Sequence, residues 1–383
     1  MATFLVPGSW EVSRLERKLL KNLDWTMIAV TMAIMVFGFV AIRSATAPSL
    51  YYLKRQLLWA AIAWGLVAVI LTSDYTGWAR YANLLYGLNV VMLTAVRFLG
   101  HEALGAQRWL KVGPFQLQPS EFAKVLVIIT LATALSRRGR IITWTDLFLA
   151  MAPILPPVIL VLIQPDLGTS LVFVAIMVGM LFVAGAPVRK LVTLFGGGLA
   201  AAVSVVFVQL RLHLTFPLSP YQLKRIIVLI NPEADPTGSG YHVLQSKIAI
   251  GSGGALGKGL FFGTQTQLSF LPERHTDFIF SVIGEELGFI GAVALLALFL
   301  ILLLRASRVI RESKDLFGTL LATGVTSMIA FHLLVNVGMT MGIMPVTGIP
   351  LPFVSYGGSP TMANAIAVGM LLNVYMRRQK IMF

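Results

Sequence analysis

The chain has 383 residues, 57% of them hydrophobic and only 12% charged, with a formal net charge of +14 and no cysteine. A soluble domain carries roughly 25% charged residues, so this composition excludes a string of ordinary soluble domains, and the missing Cys excludes disulfides and thiolate metal sites. In a soluble chain such a charge would suggest nucleic acid; here Lys and Arg are expected in the short loops that fix membrane topology, and no nucleic-acid partner is expected.

From the N-terminus, residues 1–24 are charged and lack an A-x-A site before the first apolar run, so no cleavable signal peptide is expected. Trp10 to Trp25 interleave Leu15, Leu19, Leu20 and Leu23 with Arg14, Arg17, Lys18 and Lys21, the pattern of an interfacial helix. Apolar runs then recur at 25–43, 56–72, 82–98, 115–136, 147–163, 168–186, 190–210, 278–304, 317–342 and 359–376. Each approaches the ~20 residues needed to cross ~30 Å of hydrocarbon. They predict an all-α polytopic membrane protein with ten transmembrane helices: a membrane domain over 25–376, between the N-terminal segment 1–24 and a tail at 377–383. The dense basic clusters Arg137-Arg138-Gly139-Arg140 and Arg305–Lys314 fall in short loops on the N-terminal side of the membrane. That places both termini in the cytoplasm.

One connection breaks the pattern. Residues 211–277, between spans seven and eight and on the outer side, far exceed the ~15 residues beyond which a loop is usually functional or has structure of its own. Helical stretches are expected at Pro220–Ile230 and Tyr241–Ile250, separated by turn signals at Asn231-Pro232 and Asp235-Pro236-Thr237-Gly238.

Charged residues inside or beside spans need a reason. Glu121 and Lys124, in Gln118-Pro119-Ser120-Glu121-Phe122-Ala123-Lys124, open the fourth span at i, i+3 and can pair on one helix face. Twelve residues back from Ser136 puts Lys124 about 18 Å above the cytoplasmic boundary, within the hydrocarbon zone. Each such charge costs about 2.5–3.5 kcal/mol, so the pair either locks helices or lines a polar cavity open to the outside. Asp166 stands where an ordinary helix cap would, with a substrate role as the alternative. Pro272-Glu273-Arg274-His275-Thr276-Asp277 precedes the eighth span; if that helix runs straight from Arg305, Asp277 lies about 42 Å up, at headgroup height. There it is a helix cap or a catalytic acid or base. Pro345 to Pro360 is rich in Pro and Gly yet apolar, which fits a re-entrant wall or a tight connection. Gly251 to Gly259 imitates a phosphate loop but has Gly259 where Ser or Thr is required. The five histidines have no zinc spacing, and His332 reads as a satisfied interhelical group.

Five strings taken together resemble the SEDS family (shape, elongation, division and sporulation). They are Gly105-Ala106-Gln107-Arg108-Trp109-Leu110, Gln118 to Lys124, Gln164-Pro165-Asp166-Leu167-Gly168-Thr169, Pro272 to Phe280, and Gly348 to Ser359. The chain looks most like the RodA-type, elongation branch rather than the FtsW-type, division branch. The resemblance implies a peptidoglycan glycosyltransferase of the bacterial cytoplasmic membrane. Such an enzyme polymerises lipid II into β-1,4 glycan at the outer face, releases undecaprenyl pyrophosphate, and works within the elongation machinery beside a class B penicillin-binding protein, a transpeptidase. It places the family's essential acid at Asp277 and its membrane Glu and Lys at Glu121 and Lys124. Chemistry then suggests Asp277 as the base of a single inverting displacement. Lys124, Arg108, Lys111 and Arg274 are candidates to hold pyrophosphate, with a divalent Mg or Mn ion as a candidate cofactor. Asp166, His275 and Ser355 complete the candidate substrate contacts. A lipid II flippase and a non-catalytic scaffold for the transpeptidase are the rival readings.

Overall fold

The computed structural model describes residues 21–103, 106–112, 115–212, 220–236 and 238–378. The interfacial helix expected before Trp25, Gly105, residues 213–219 of the long loop and most of the tail lie outside the described residues.

The chain forms a helical bundle with one small sheet. In order come α1 (Trp25–Ala45), α2 (Tyr51–Thr72), α3 (Ala82–Leu99), the strands β1 (His101–Ala103), β2 (Ala106–Val112) and β3 (Phe115–Leu117), then α4 (Pro119–Ser136). Next are α5 (Trp144–Ile163), broken by a 3-10 turn at Ala152–Ile154, α6 (Leu167–Val183) and α7 (Val188–Leu212). The long connection contributes α8 (Pro220–Ile230) and α9 (Ser239–Ser252). The chain ends with α10 (Ile279–Glu286), α11 (Gly288–Glu312), α12 (Leu316–Thr340) and α13 (Gly358–Met376). Among the described residues eight helices are long and apolar enough to cross a membrane: α1 to α5, α7, α11 and α12. This is a multi-pass membrane protein.

Two sequence expectations are corrected. The fourth span does not start at 115: Phe115–Leu117 is the edge strand of an antiparallel sheet ordered β1-β2-β3. Pro119, at the first helical turn where its missing N–H costs nothing, starts α4 instead. The eighth span is not straight either. α10 ends at Glu286 and α11 begins at Gly288, whose φ of +65° only glycine adopts without strain. A Cβ on Gly288 would sit 2.2 Å from the Gly257 nitrogen, so the break is packed against the long outer loop. Counting helix rise from Arg305 to Asp277 therefore fails, because the ruler bends at Gly288.

α4, α12 and α13 are buried on nearly all sides, as helices apolar all round should be. Small residues allow their close approach: a Cβ on Gly324 of α12 would lie 2.8 Å from Ile128 of α4 and 2.9 Å from Met180 of α6. α7 is the opposite case, almost wholly exposed and touching the bundle chiefly through α6. An apolar helix face needs no protein partner where lipid covers it. The end of the bundle at the start of α1 is tied by ion pairs. Asp24 caps α1 by accepting from the Met27 amide and takes two 2.8 Å bonds from Arg305 of α11, while Tyr75 donates to Asp315 at 2.7 Å. The opposite end carries the sheet, the long connection and the segment 345–357.

Candidate functional site

The segment 345–357 enters the bundle without forming a helix and acts as a strap across it. Its close packing demands glycine at two contacts. A Cβ on Gly38 of α1 would lie 2.7 Å from the Phe353 carbonyl, and one on Gly168 of α6 would lie 2.9 Å from the Thr347 carbonyl. Buried backbone polar groups must be satisfied, and side chains from distant elements do this. Asn336 of α12 donates to the carbonyls of both Ile349 (2.8 Å) and Asp277 (2.9 Å). Ser355 donates to the Thr276 carbonyl and accepts from the Leu351 amide. The Tyr356 amide donates to the His275 carbonyl, and Gln56 of α2 accepts from the Gly357 amide. The segment is thus a buried, non-helical wall of the bundle, stitched to the segment that carries Asp277.

Below the strap lies the buried charge pair. Lys124 Nζ is 2.8 Å from Glu121 Oε1 and 2.9 Å from His332 Nε2. Both partners of the ion pair are almost fully buried, with side-chain exposures of 2% and 3%. The other Glu121 oxygen, Oε2, has no hydrogen-bond partner among the described residues. Arg108 of β2 reaches over from the sheet and donates to the carbonyls of Gln164 and Pro165, with its guanidinium 3.7 Å from Asp166. Asp166 does cap α6, accepting from the Thr169 amide and hydroxyl. It also lines the same cavity as Lys124.

These side chains enclose one cavity of about 30 Å3, walled by Arg108, Glu121, Lys124, Asp166, His332 and the strap at Gly348. That space accommodates about one or two waters. It is a small polar chamber, narrower than a substrate-sized cleft.

Asp277 stands on the far side of Gly348: a Cβ on that glycine would be 3.3 Å from Asp277 Oδ2. Gly348 has φ +73° and separates the acid from the chamber by a single residue without a side chain. The Asp277 carboxylate is half-buried and makes no hydrogen bond or ion pair with the described residues. Burial is the main cause that raises it to a pKa of about 6, and Glu273 adds to the rise. Arg225 and Arg108 oppose it. Gly348 lines the chamber of the Glu121–Lys124 pair and also approaches the Asp277 carboxylate, so the acid meets the chamber wall at this glycine.

Not every candidate gathers here. Arg274 donates to the Ala45 carbonyl at 2.7 Å, and with His275 it lines a different, wider cavity of about 320 Å3 beside Tyr52. His275 packs against the rings of Tyr52 (4.8 Å) and Tyr356 (5.7 Å), and burial holds it below the ordinary imidazole pKa. Lys111 has its backbone in β2, paired with Gln116, but its side chain lies outside the described residues. The Gly251–Gly259 loop is packed, not a phosphate cradle: its Lys258 pairs with Glu285 at 2.8 Å, and the Gly259 amide donates to the Glu286 carbonyl. Sequence reasoning passed over Asn336 and Gln56. Their signal was polarity within a span, and for Asn336 its i, i+4 spacing from His332 on α12. Among the described residues no three His, Asp or Glu side chains converge as a metal cage.

A multi-pass bundle with a half-buried acid beside a small, cation-bearing polar chamber defines a class: integral-membrane proteins with a charge cluster buried at one end of the helical bundle. Comparison narrows it. Residues 23–380 match the family FTSW_RODA_SPOVE, described as "Cell cycle protein". The chain is 38% identical over 363 residues to "Peptidoglycan glycosyltransferase MrdB" of Escherichia coli (strain K12), covering 94% of this chain and 95% of that one. It is 38% identical over 365 residues to "Stage V sporulation protein E" of Bacillus subtilis (strain 168), covering 92% and 96%. Among solved structures it resembles a chain from "a peptidoglycan synthase complex" that coordinates polymerization and crosslinking, with TM-score 0.78 and 36% identity over 92% of this chain and 97% of that one. It also resembles the rod shape determining protein RodA of Thermus thermophilus, with TM-score 0.70 and 32% identity over 94% and 98%. The chain belongs to the FtsW/RodA/SpoVE family of cell cycle proteins.

Proposed function

We propose that this protein is an inverting peptidoglycan glycosyltransferase that polymerises lipid II at the outer face of the bacterial cytoplasmic membrane during elongation, releasing undecaprenyl pyrophosphate. The family and the names of its relatives support the activity. One observation supports the site: Asp277, half-buried and with a carboxylate that has no hydrogen-bond partner among the described residues, sits one glycine away from the chamber holding Lys124.

The chemistry asks little more. The acceptor hydroxyl attacks the anomeric carbon of the donor while Asp277 takes its proton. The bond from that carbon to the pyrophosphate oxygen breaks, and the electron pair leaves with the pyrophosphate. An α donor linkage becomes a β product in one displacement, so a second carboxylate nucleophile is not needed. Pyrophosphate is already a good leaving group, and cations matter more to it than a general acid. Lys124 and Arg108 serve here from the chamber side, with Lys111 near them in sequence; Arg274 and His275 serve the sugar from the wider cavity, whose volume falls in the range of about 300–1,000 Å3 usual for small-molecule sites. Since the chamber has room for water alone, the strap must shift for pyrophosphate to reach Lys124.

The same reading counts α6, with 17 residues, and α13, with 19, as the remaining two of ten spans. It puts both termini in the cytoplasm, keeps 25–376 as the membrane domain, and takes a class B transpeptidase as the partner. The likeness to a chain of a complex that couples polymerization to crosslinking supports that partner. Fluorescent lipid II supplied from outside to the complex reconstituted in sealed lipid vesicles tests the whole. Glycan strands that vanish with Asp277→Asn are expected; transbilayer movement without polymer would mean a flippase, and neither would mean a scaffold.

A further inference from the structure

We propose that His332 is a positioning residue for Lys124, a neutral second acceptor that fixes the ammonium at the chamber wall without cancelling its charge. The inference rests on the reading of Lys124 as the cation that meets pyrophosphate.

The hydrogen-bond arithmetic leaves one arrangement. His332 Nδ1 is 2.7 Å from the Met328 carbonyl, one turn back on α12. A carbonyl only accepts, so Nδ1 carries the proton. Nε2, 2.9 Å from Lys124 Nζ, therefore presents its lone pair to the ammonium. A ring protonated at both nitrogens would point an N–H at an N–H. Lys124 thus commits one proton to Glu121 and one to His332. The third has no partner among the described residues, and Lys124 lines the chamber.

The choice of a neutral acceptor matters for an anionic ligand. Glu121 and Lys124 sum to zero. A carboxylate in place of His332 would make the trio negative and repel pyrophosphate, whereas an imidazole holds the same proton and leaves the sum unchanged. The backbone is arranged for this reach: Gly324 of α12, two turns before His332, lets α12 lie against Ile128 of α4, the helix that bears Lys124. The bland alternative is a polar staple between two helices, which would act on stability alone.

The test uses the full chain with its transpeptidase partner and fluorescent lipid II, comparing His332→Gln, His332→Leu, His332→Glu, Lys124→Met and the Lys124→Met/His332→Leu double variant. His332→Leu is expected to lower kcat/KM by about 10-fold or more. His332→Gln, which keeps an acceptor, recovers most of that loss; His332→Glu is worse than Leu and raises KM. The double variant is no worse than Lys124→Met alone. A His332→Leu enzyme at wild-type rate, or a full extra loss in the double variant, overturns the proposal. Independently of turnover, 15N spectra of histidine-labelled protein should show His332 neutral with the proton on Nδ1 and an Nε2 resonance that moves in Lys124→Met. A proton on Nε2, or no movement, overturns it even if the Leu variant does not fold. A wild-type complex that makes no polymer would instead refute the glycosyltransferase reading and leave the spectra to judge the contact.

Discussion

At the scale of single residues, the proposed base is an acid held in an unfavourable environment. The Asp277 carboxylate is half-buried, receives no hydrogen bond from the described residues, and is raised from the ordinary carboxylate range to about 6. A raised carboxylate stabilises the fold only while protonated, so its contribution is lost as pH rises through about 6 and the ionised form is held at a cost. Asp277→Asn is therefore expected to raise Tm at pH 8, with the gain shrinking below about pH 6 and vanishing below the ordinary carboxylate range. Polymerisation by the same variant should fall by about 100-fold or more, the usual worth of a positioned base. In the wild type, kcat/KM should climb through about pH 6 and then level, since the base must be ionised. Thermal melts and a pH–rate profile decide both; an unchanged Tm together with a pH-independent rate would remove Asp277 from the role. The residue was legible in sequence as an acid before an apolar run. Its adjacency to Lys124 was not, because Gly348, 71 positions later in the chain, is what joins them.

At the scale of elements, the strap and α12 organise the site together. His332 and Asn336, four residues apart on α12, hold the lysine and the acid respectively. Asn336→Leu keeps the volume but orphans two buried carbonyls, each worth about 1–3 kcal/mol. It should lower Tm and also reduce polymerisation per folded molecule, because the Asp277 backbone loses its anchor; Tm loss alone, with normal turnover, would confine Asn336 to folding. Gly348→Ala puts a methyl 3.3 Å from Asp277 Oδ2 on a backbone of φ +73°. The expected outcome is a loss of rate larger than the loss of stability, measured by the same pair of assays. The re-entrant character of this segment could be read from its prolines and glycines, since they forbid a helix in an apolar stretch. Its partners could not, because their positions run from Gln56 to Asn336 and no local pattern links them. The sheet at 101–117 was missed for a simpler reason: strands of three and seven residues leave too short an alternation to see.

At the scale of the whole molecule, the two ends of the bundle do different work. One is closed by ion pairs such as Asp24–Arg305, with Asp24 fully buried. Asp24→Ala removes both a helix cap and that pair, costing roughly 1.5–3 kcal/mol. It should lower Tm while polymerisation per folded molecule stays normal; a rate loss beyond the folded fraction would couple this end to the chemistry. The other end carries the acid, the chamber and the strap. Composition and apolar periodicity made the membrane class plain, since both average over hundreds of residues. The bend at Gly288 defeated a length count because one φ angle redirects everything beyond it. The way the strap is held has a consequence for genetics. The groups held in it are mostly its own main-chain amides and carbonyls, which no point mutation can delete, served by a few polar side chains such as Gln56, Asn336 and Ser355. A saturation screen of this chain should thus return a sparse map: isolated polar positions that tolerate nothing, set in long apolar stretches where one aliphatic residue substitutes freely for another.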